Sequence, residues 1–157
     1  RDTSVTGVQT CALPIWRNSA DRRRIMAKHS ILIADDDATC REAIQETLDR
    51  AGHRTLAASN GIEAIEMVRE HGTEIHATIL DMHMPDLTGL ETLSAMFDLV
   101  DRLPAIFVTA EGSKELLIKA MEAGAYTLLR KPVSSGLIVV TVNQLLGKYY
   151  GADREQD

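Results

Sequence analysis

The sequence predicts a single doubly wound α/β domain, and three observations carry that expectation. Short apolar runs end abruptly in polar or charged residues, as at Ser30–Ala34 before Asp35 and at Ala77–Leu80 before Asp81. Between such runs lie stretches whose apolar residues recur at helical spacing. The alternation of strand and helix continues through a chain of 157 residues, the length of one well-buried domain.

Bulk properties narrow the function. Hydrophobic residues at 45% and charged residues at 25% are ordinary for a globular protein. A net charge of −6 argues against non-specific nucleic-acid binding, which needs a basic face. No apolar run approaches the roughly 18 to 20 residues that span a membrane. The two cysteines, Cys11 and Cys40, make no disulfide framework, which suits a cytoplasmic location.

Arg1 to Trp16 shows no periodicity and no cap, and lacks the basic-then-apolar order of a signal peptide. Its segment VTGVQTCALPI, Val5 to Ile15, reads as an in-frame translation of a sequencing adapter. Residues 1–16 are therefore expected to be an artefact, 1–28 a non-native or disordered leader, 29–148 the domain, and 149–157 a polar tail. On that reading Met26 is the expected natural start. Residues 1–26 carry five Arg and two Asp, a net +3, so the rest of the chain stands at −9.

Each element follows in order. Ser30–Ala34 is a buried strand, and Asp37 is placed to cap a helix over Ala38–Ala51, whose stripe is Cys40, Ala43, Ile44, Thr47, Leu48 and Ala51. Gly52 stops it. Arg54–Ala58 is the second strand, with Ser59-Asn60-Gly61 as a turn into a helix marked by Ile62, Ile65, Met67 and Val68 and closed near His71-Gly72. The third strand runs to Asp81, and Pro85 and Gly89 force a loop after it. A third helix is expected from Thr88 to about Leu99, with Leu90, Leu93 and Phe97 on one face. Pro104 precedes the fourth strand, Ala105–Thr109. Ser113 caps a helix carrying Leu116, Leu117, Ala120 and Met121, and Gly124 ends it. Tyr126–Leu129 is the fifth strand, and Leu137–Leu146 the last helix, weakened by Gly136; from Gly147 onwards no period remains.

In a parallel sheet of this kind every strand ends on one edge, where ligand chemistry is built. Asp35 and Asp36 follow the first strand, Asp81 the third, Thr109 the fourth and Lys131 the fifth. Carboxylates that close repel unless a cation lies among them, and the hard-cation answer is magnesium on oxygen ligands. A carboxylate beside magnesium is a competent nucleophile towards phosphorus. Lys131 offers a point charge, and the Thr109 hydroxyl a hydrogen bond, to phosphoryl oxygens. Met82 and Met84 read as packing residues and Cys40 as core. His29, His53, His71 and His76 read as solvent or turn residues, and Tyr149-Tyr150 as a fraying end.

The set DDD, DMHMPDLTG, VTA and KP, in that order after strands one, three, four and five, resembles the response-regulator receiver domain. Spacings of 45 residues from Asp36 to Asp81, 28 to Thr109 and 22 to Lys131 fit that family. The resemblance implies a five-stranded parallel sheet of strand order 2-1-3-4-5. It implies Asp81 as acceptor of a phosphoryl group from a sensor histidine kinase or a histidine phosphotransfer protein. It places magnesium, or manganese, on Asp35, Asp36, Asp81 and the backbone carbonyl of His83. Thr109, Ala110 and Lys131 would bind the phosphoryl group, and Lys131–Pro132 would be a cis peptide. Many members carry an aromatic residue where this chain has Leu128, so the threonine–aromatic switch is altered here, with Tyr126 two residues back. His83, two residues after the acceptor, faces the route of an attacking water.

A haloacid-dehalogenase phosphatase would need a second acid where His83 stands, and a flavin carrier would suffer repulsion from Asp35-Asp36-Asp37. The expected role is thus a phosphoacceptor signalling domain rather than a conventional enzyme, acting through protein contact on a downstream protein, without nucleic acid or membrane. The alternatives are a receiver fragment of a larger transcriptional regulator or hybrid kinase, and a non-phosphorylated scaffold. Lys114, Glu115, Ile118, Lys119 and Tyr126 are the expected partner face.

Overall fold

The structure of the protein, a computed structural model, describes residues 29–151; the expected leader and the tail from residue 152 lie outside the described residues. Five strands form one parallel sheet: β1 (Ser30–Ala34), β2 (Arg54–Ala58), β3 (Ala77–Asp81), β4 (Ala105–Thr109) and β5 (Thr127–Arg130), in the order β2-β1-β3-β4-β5. The helices between and after them are α1 (Ala38–Arg50), α2 (Gly61–His71), α3 (Gly89–Phe97), α4 (Lys114–Glu122) and α5 (Ser135–Tyr150). The expected class and strand order are those observed.

The three central strands are buried at every position because both of their faces are covered. Leu32, Ala34, Leu80, Ala105 and Phe107 point to one side, where Ala64, Val68, Leu93, Met96 and Ala120 meet them. Ile31, Ile33, Ile79, Ile106 and Val108 point to the other, against Ile44 and Leu48 of α1 and Ile138, Val142, Leu145 and Leu146 of α5. Each helix start is capped by a side-chain oxygen, from Asp37, Asn60, Thr88, Ser113 and Ser134 in turn. At Thr88 the bond is reciprocated by Glu91, closing a capping box.

The helix faces depart from expectation in three places, the first being Ala43, which belongs to the expected stripe of α1 but is exposed. Ile62 is exposed, whereas Val68 is buried as expected, Ile65 and Met67 pack against the core, and Gly61 and Ala64 are buried beside them. A Cβ on Gly61 would come within 2.2 Å of the Thr92 hydroxyl, so helix–helix contact here depends on a small residue rather than a large one. On α4 only Ala120 is fully buried, while Leu117 and Met121 are 40% and 49% exposed. This helix packs at the half-exposed β5 edge, where the sheet presents too little area to cover a broad apolar stripe. α3 also ends at Phe97, short of the expected Leu99, and β5 starts one residue late, after Tyr126.

The last helix overturns two further expectations. It continues past Gly147 to Tyr150 because its final turn is held by aromatic contacts. Tyr149 meets Tyr126 edge-on at 6.5 Å, and the Tyr150 hydroxyl donates to the His76 carbonyl at 2.7 Å. The Tyr150 ring also packs against His29 and His76. These histidines are not solvent residues: His29 is buried, and His76 Nδ1 accepts the Ser30 N–H at 3.0 Å. His53 is likewise buried and pairs with Asn143 at 3.0 Å, whereas His71 is exposed as expected.

At the sheet's carboxyl edge the chain leaves β3 through a tight path. Asp86 has φ of 72°, and Leu87 N–H donates to the Pro85 carbonyl at 2.8 Å, a three-residue turn that an Asp tolerates. Gly89 then passes so close to the strand that a Cβ would lie 2.5 Å from the Asp81 carbonyl oxygen and 3.0 Å from Met82 Cα. Those atoms are backbone and cannot step aside. Gly89→Ala is expected to lower the unfolding free energy by about 1–3 kcal/mol, read as a reduced urea midpoint. An unchanged midpoint would mean that the loop relaxes without strain.

Candidate functional site

The ends of β1, β3, β4 and β5 bring Asp35, Asp36, Asp81, Thr109 and Lys131 to one edge of the sheet, where Asp35, Asp36, Asp81 and Lys131 cluster. One oxygen each from Asp35, Asp36 and Asp81 lie within 4.8 Å of one another. Asp35 and Asp81 are buried and Asp36 is exposed. Lys131 Nζ reaches between the two buried acids, 3.0 Å from Asp35 Oδ2 and 3.2 Å from Asp81 Oδ2. The remaining oxygens are held by the backbone: Asp37 N–H donates to Asp35 Oδ1 at 2.9 Å, and His83 N–H to Asp81 Oδ1 at 3.2 Å.

The two acids titrate apart. Burial pushes the Asp81 carboxyl up, the His83 amide opposes this and the Asp35 charge adds to it, leaving it at about 6 against an ordinary 3.8. Burial also penalises Asp35, but the Asp37 amide, the Lys131 ammonium and the Cys40 thiol outweigh it and hold its carboxyl below the usual range. Lys131 is raised despite burial, because Asp35 and then Asp81 face it. Lys131 thus bonds two of the three carboxylates and leaves Asp36 without its charge, and such an oxygen-rich cluster suits a hard divalent ion.

Thr109 is buried, and its hydroxyl accepts the Glu111 N–H at 3.1 Å. Its carbonyl accepts the Lys131 N–H at 2.7 Å, so the ends of β4 and β5 are tied together. Ala110 is exposed on the loop beyond. The Lys131–Pro132 peptide is cis. Leu128 is half-buried and, with Thr109, Lys114, Leu117 and Arg130, lines a cavity of about 310 Å³. Met82 and Met84 are buried packing residues.

Lys114, Glu115, Ile118 and Lys119 are exposed on α4. Tyr126 stands apart from them: its half-buried ring packs with the α1–α5 side of the core, against Tyr149. Sequence reasoning missed three participants. Arg41 Nη1 donates to the Asp35 carbonyl at 2.7 Å. Glu111 Oε2 lies 3.2 Å from His83 Nε2, joining the loops after β3 and β4. Cys40, half-buried as its stripe position suggests, directs its thiol to Asp35 and is raised to about 11 by burial and by that carboxylate. A basic residue one turn after a helix cap was the available signal for Arg41; nothing local marked Glu111.

Residues 31–143 match the response regulator receiver domain family. The chain is 32% identical over 120 residues to the chemotaxis protein CheY homolog of Campylobacter jejuni, covering 74% of this chain and 92% of that one. It is 34% identical over 116 residues to the response regulator MprA of Mycobacterium leprae, covering 74% of this chain and 50% of that protein. Among solved structures, a response regulator receiver domain protein from Clostridium thermocellum superposes with a TM-score of 0.72 at 30% identity, covering 76% and 95% of the two chains.

The raised Asp81 carboxyl has a consequence for stability. The folded protein holds this proton more tightly than the unfolded chain, so between about pH 4 and pH 6 it binds more protons and its stability falls as pH rises. Asp81→Asn removes that titration. In EDTA, the unfolding free energy of the variant minus that of the wild type is expected to grow across this interval and level off above it. The gain should be on the order of 2 kcal/mol in urea melts. A difference independent of pH would show that Asp81 ionises freely.

Proposed function

As the chain belongs to the response regulator receiver domain family, we propose that it accepts a phosphoryl group on Asp81 from a phosphohistidine and signals by protein contact. The observation that carries this reading is the buried Asp81 carboxylate, which ends β3 with Lys131 Nζ 3.2 Å away and two further acids beside it. In the transfer an Asp81 oxygen forms the new bond to phosphorus while the bond from phosphorus to the donor imidazole breaks, its electron pair leaving on the imidazole.

Asp35, Asp36, Asp81 and the His83 carbonyl would hold the divalent cation, magnesium or manganese, and the three carboxylates fit such an ion by charge and ligand type. When bound, it supplies positive charge that offsets the phosphoryl oxygens. The protein's own groups do the rest. Lys131, already held by the two buried acids, carries a fixed charge to the same oxygens. The His83 amide orients the Asp81 carboxylate, and the hydroxyl of Thr109, at the end of the neighbouring strand, would donate to a phosphoryl oxygen. Once it does so, the Thr109 loop is drawn inward and α4, with Lys114, Glu115, Ile118 and Lys119, is presented differently to a downstream protein. Tyr126 would take part only through the neighbouring α5 surface. A receiver within a longer regulator is the second reading, supported by the match to half of the length of MprA. No helix among the described residues is long and apolar enough to cross a membrane, and the proposal places this chemistry in the cytoplasm.

Intact mass after incubation with acetyl phosphate and magnesium tests the reading. The wild type is expected to gain one phosphoryl group, and Asp81→Asn, or the wild type in EDTA, to gain none. An adduct that persists in Asp81→Asn would move the acceptor elsewhere, and a folded wild type that neither binds magnesium nor gains mass would overturn the proposal.

A further inference from the structure

Arg41 has no part in the chemistry above, yet it is bonded to the backbone of the acidic loop. In a parallel ladder a residue's N–H and C=O point to the same neighbouring strand. Asp35 N–H donates to the Ala58 carbonyl of β2 at 3.2 Å, so its own carbonyl faces the place where Asn60 N–H would supply the next rung. β2 has ended by then, and Asn60, at φ −159° and ψ 174°, caps α2. Arg41 Nη1 fills the vacant rung at 2.7 Å.

The residue that follows is the one that most needs holding. Asp36 is exposed, and its carboxylate has no hydrogen-bond partner among the described residues, whereas Asp35 and Asp81 are each fixed by an amide and by Lys131. The direction of the Asp36 side chain therefore depends on the peptide that joins it to Asp35, and Arg41 anchors that peptide at its carbonyl. We infer that Arg41 is a positioning residue for Asp36 and thereby sets the affinity of the acidic cluster for a divalent cation. The inference rests on the receiver reading above.

Charge and geometry make opposite demands, which gives the inference a sign. A guanidinium close to the cluster repels a divalent cation, so on Coulombic grounds alone its removal tightens binding. If Arg41 acts by holding the peptide, its removal weakens binding. Outer groups that orient ligands typically change metal affinity by about 10- to 100-fold, and an effect relayed through one peptide belongs at the lower end, about tenfold.

The experiment is calorimetric titration of the full chain with magnesium, for wild type, Arg41→Met and Arg41→Lys, with folding checked by circular dichroism. Arg41→Met keeps the aliphatic stem and loses both donor and charge; its dissociation constant is expected to rise about tenfold. In an Asp36→Asn background the same change should have little further effect, which a general loosening of the fold would not reproduce. At saturating magnesium, labelling by acetyl phosphate should return to the wild-type rate. Unchanged or tighter binding by Arg41→Met overturns the inference. If that variant does not fold, Arg41→Lys decides, since a shorter, strongly hydrated ammonium is a poor replacement for the fork at a carbonyl: at least threefold weaker binding supports the inference, and wild-type affinity overturns it. A wild type that binds no magnesium removes the receiver reading and this inference together, whereas wild-type binding and labelling with an unaffected Arg41→Met remove only this one.

Discussion

The placement of Lys131 between Asp35 and Asp81 is the constraint on which the rest of the structure depends. Two buried carboxylates side by side would repel, and neither has water enough to screen it. One ammonium shared at 3.0 and 3.2 Å relieves both, but it follows the edge strand β5 and must reach past β4 to Asp81 and past β3 to Asp35. The sheet order makes that possible. β1, β3, β4 and β5 deliver their ends to one edge, and the Lys131 N–H bond to the Thr109 carbonyl fixes where the last of them stops. The core on both faces is thus what brings into register charges that would otherwise disperse into solvent.

The same arrangement leaves the site short of positive charge. Lys131 bonds only two of the three acids, and burial, with the Asp35 charge adding to it, raises the Asp81 carboxyl. Stability and the proposed chemistry are opposed here: the ionised Asp81 that phosphoryl acceptance would need is the form that burial disfavours. Under the proposed function, a cation at the cluster, or a phosphoryl group whose oxygens face Lys131, would change that balance at Asp81 itself.

Much of this was legible in the sequence because the signals are local. Continuous apolar runs ending in Asp35, Asp81 and Thr109 identify strands buried on both faces, and Asp37, Thr88 and Ser113 announce helix starts by their own side chains. The site followed, since parallel topology alone sends those ends to one edge. What escaped was decided by distant partners. Leu117 and Met121 have the spacing of a buried stripe but lie over a sheet edge too narrow to cover them. Tyr149 and Tyr150 look like a fraying tail until Tyr126, His29 and His76 are placed beside them. Arg41 is a surface residue of a helix by pattern, and acquires its role only because β2 turns away from Asp35.

Leu128 raises the question of how a change at Asp81 is transmitted without an aromatic side chain at that position. The backbone offers an answer that no side chain at 128 can remove. Thr109 is bound twice, its hydroxyl by the Glu111 amide and its carbonyl by Lys131 N–H at 2.7 Å, so displacement of Thr109 is shared at once with the loop before α4 and with the end of β5. Leu128 pairs in register with Phe107 and borders the cavity of about 310 Å³ beside Thr109 and Leu117. That space gives the Thr109 loop and α4 room to shift without displacing a packed ring. A branched aliphatic wall can repack around such a movement with small rotations, whereas a ring must leave or enter as a unit. Under the proposed function, coupling would therefore run through the main-chain bonds between β4 and β5, with the cavity giving room for movement and Leu128 repacking around it.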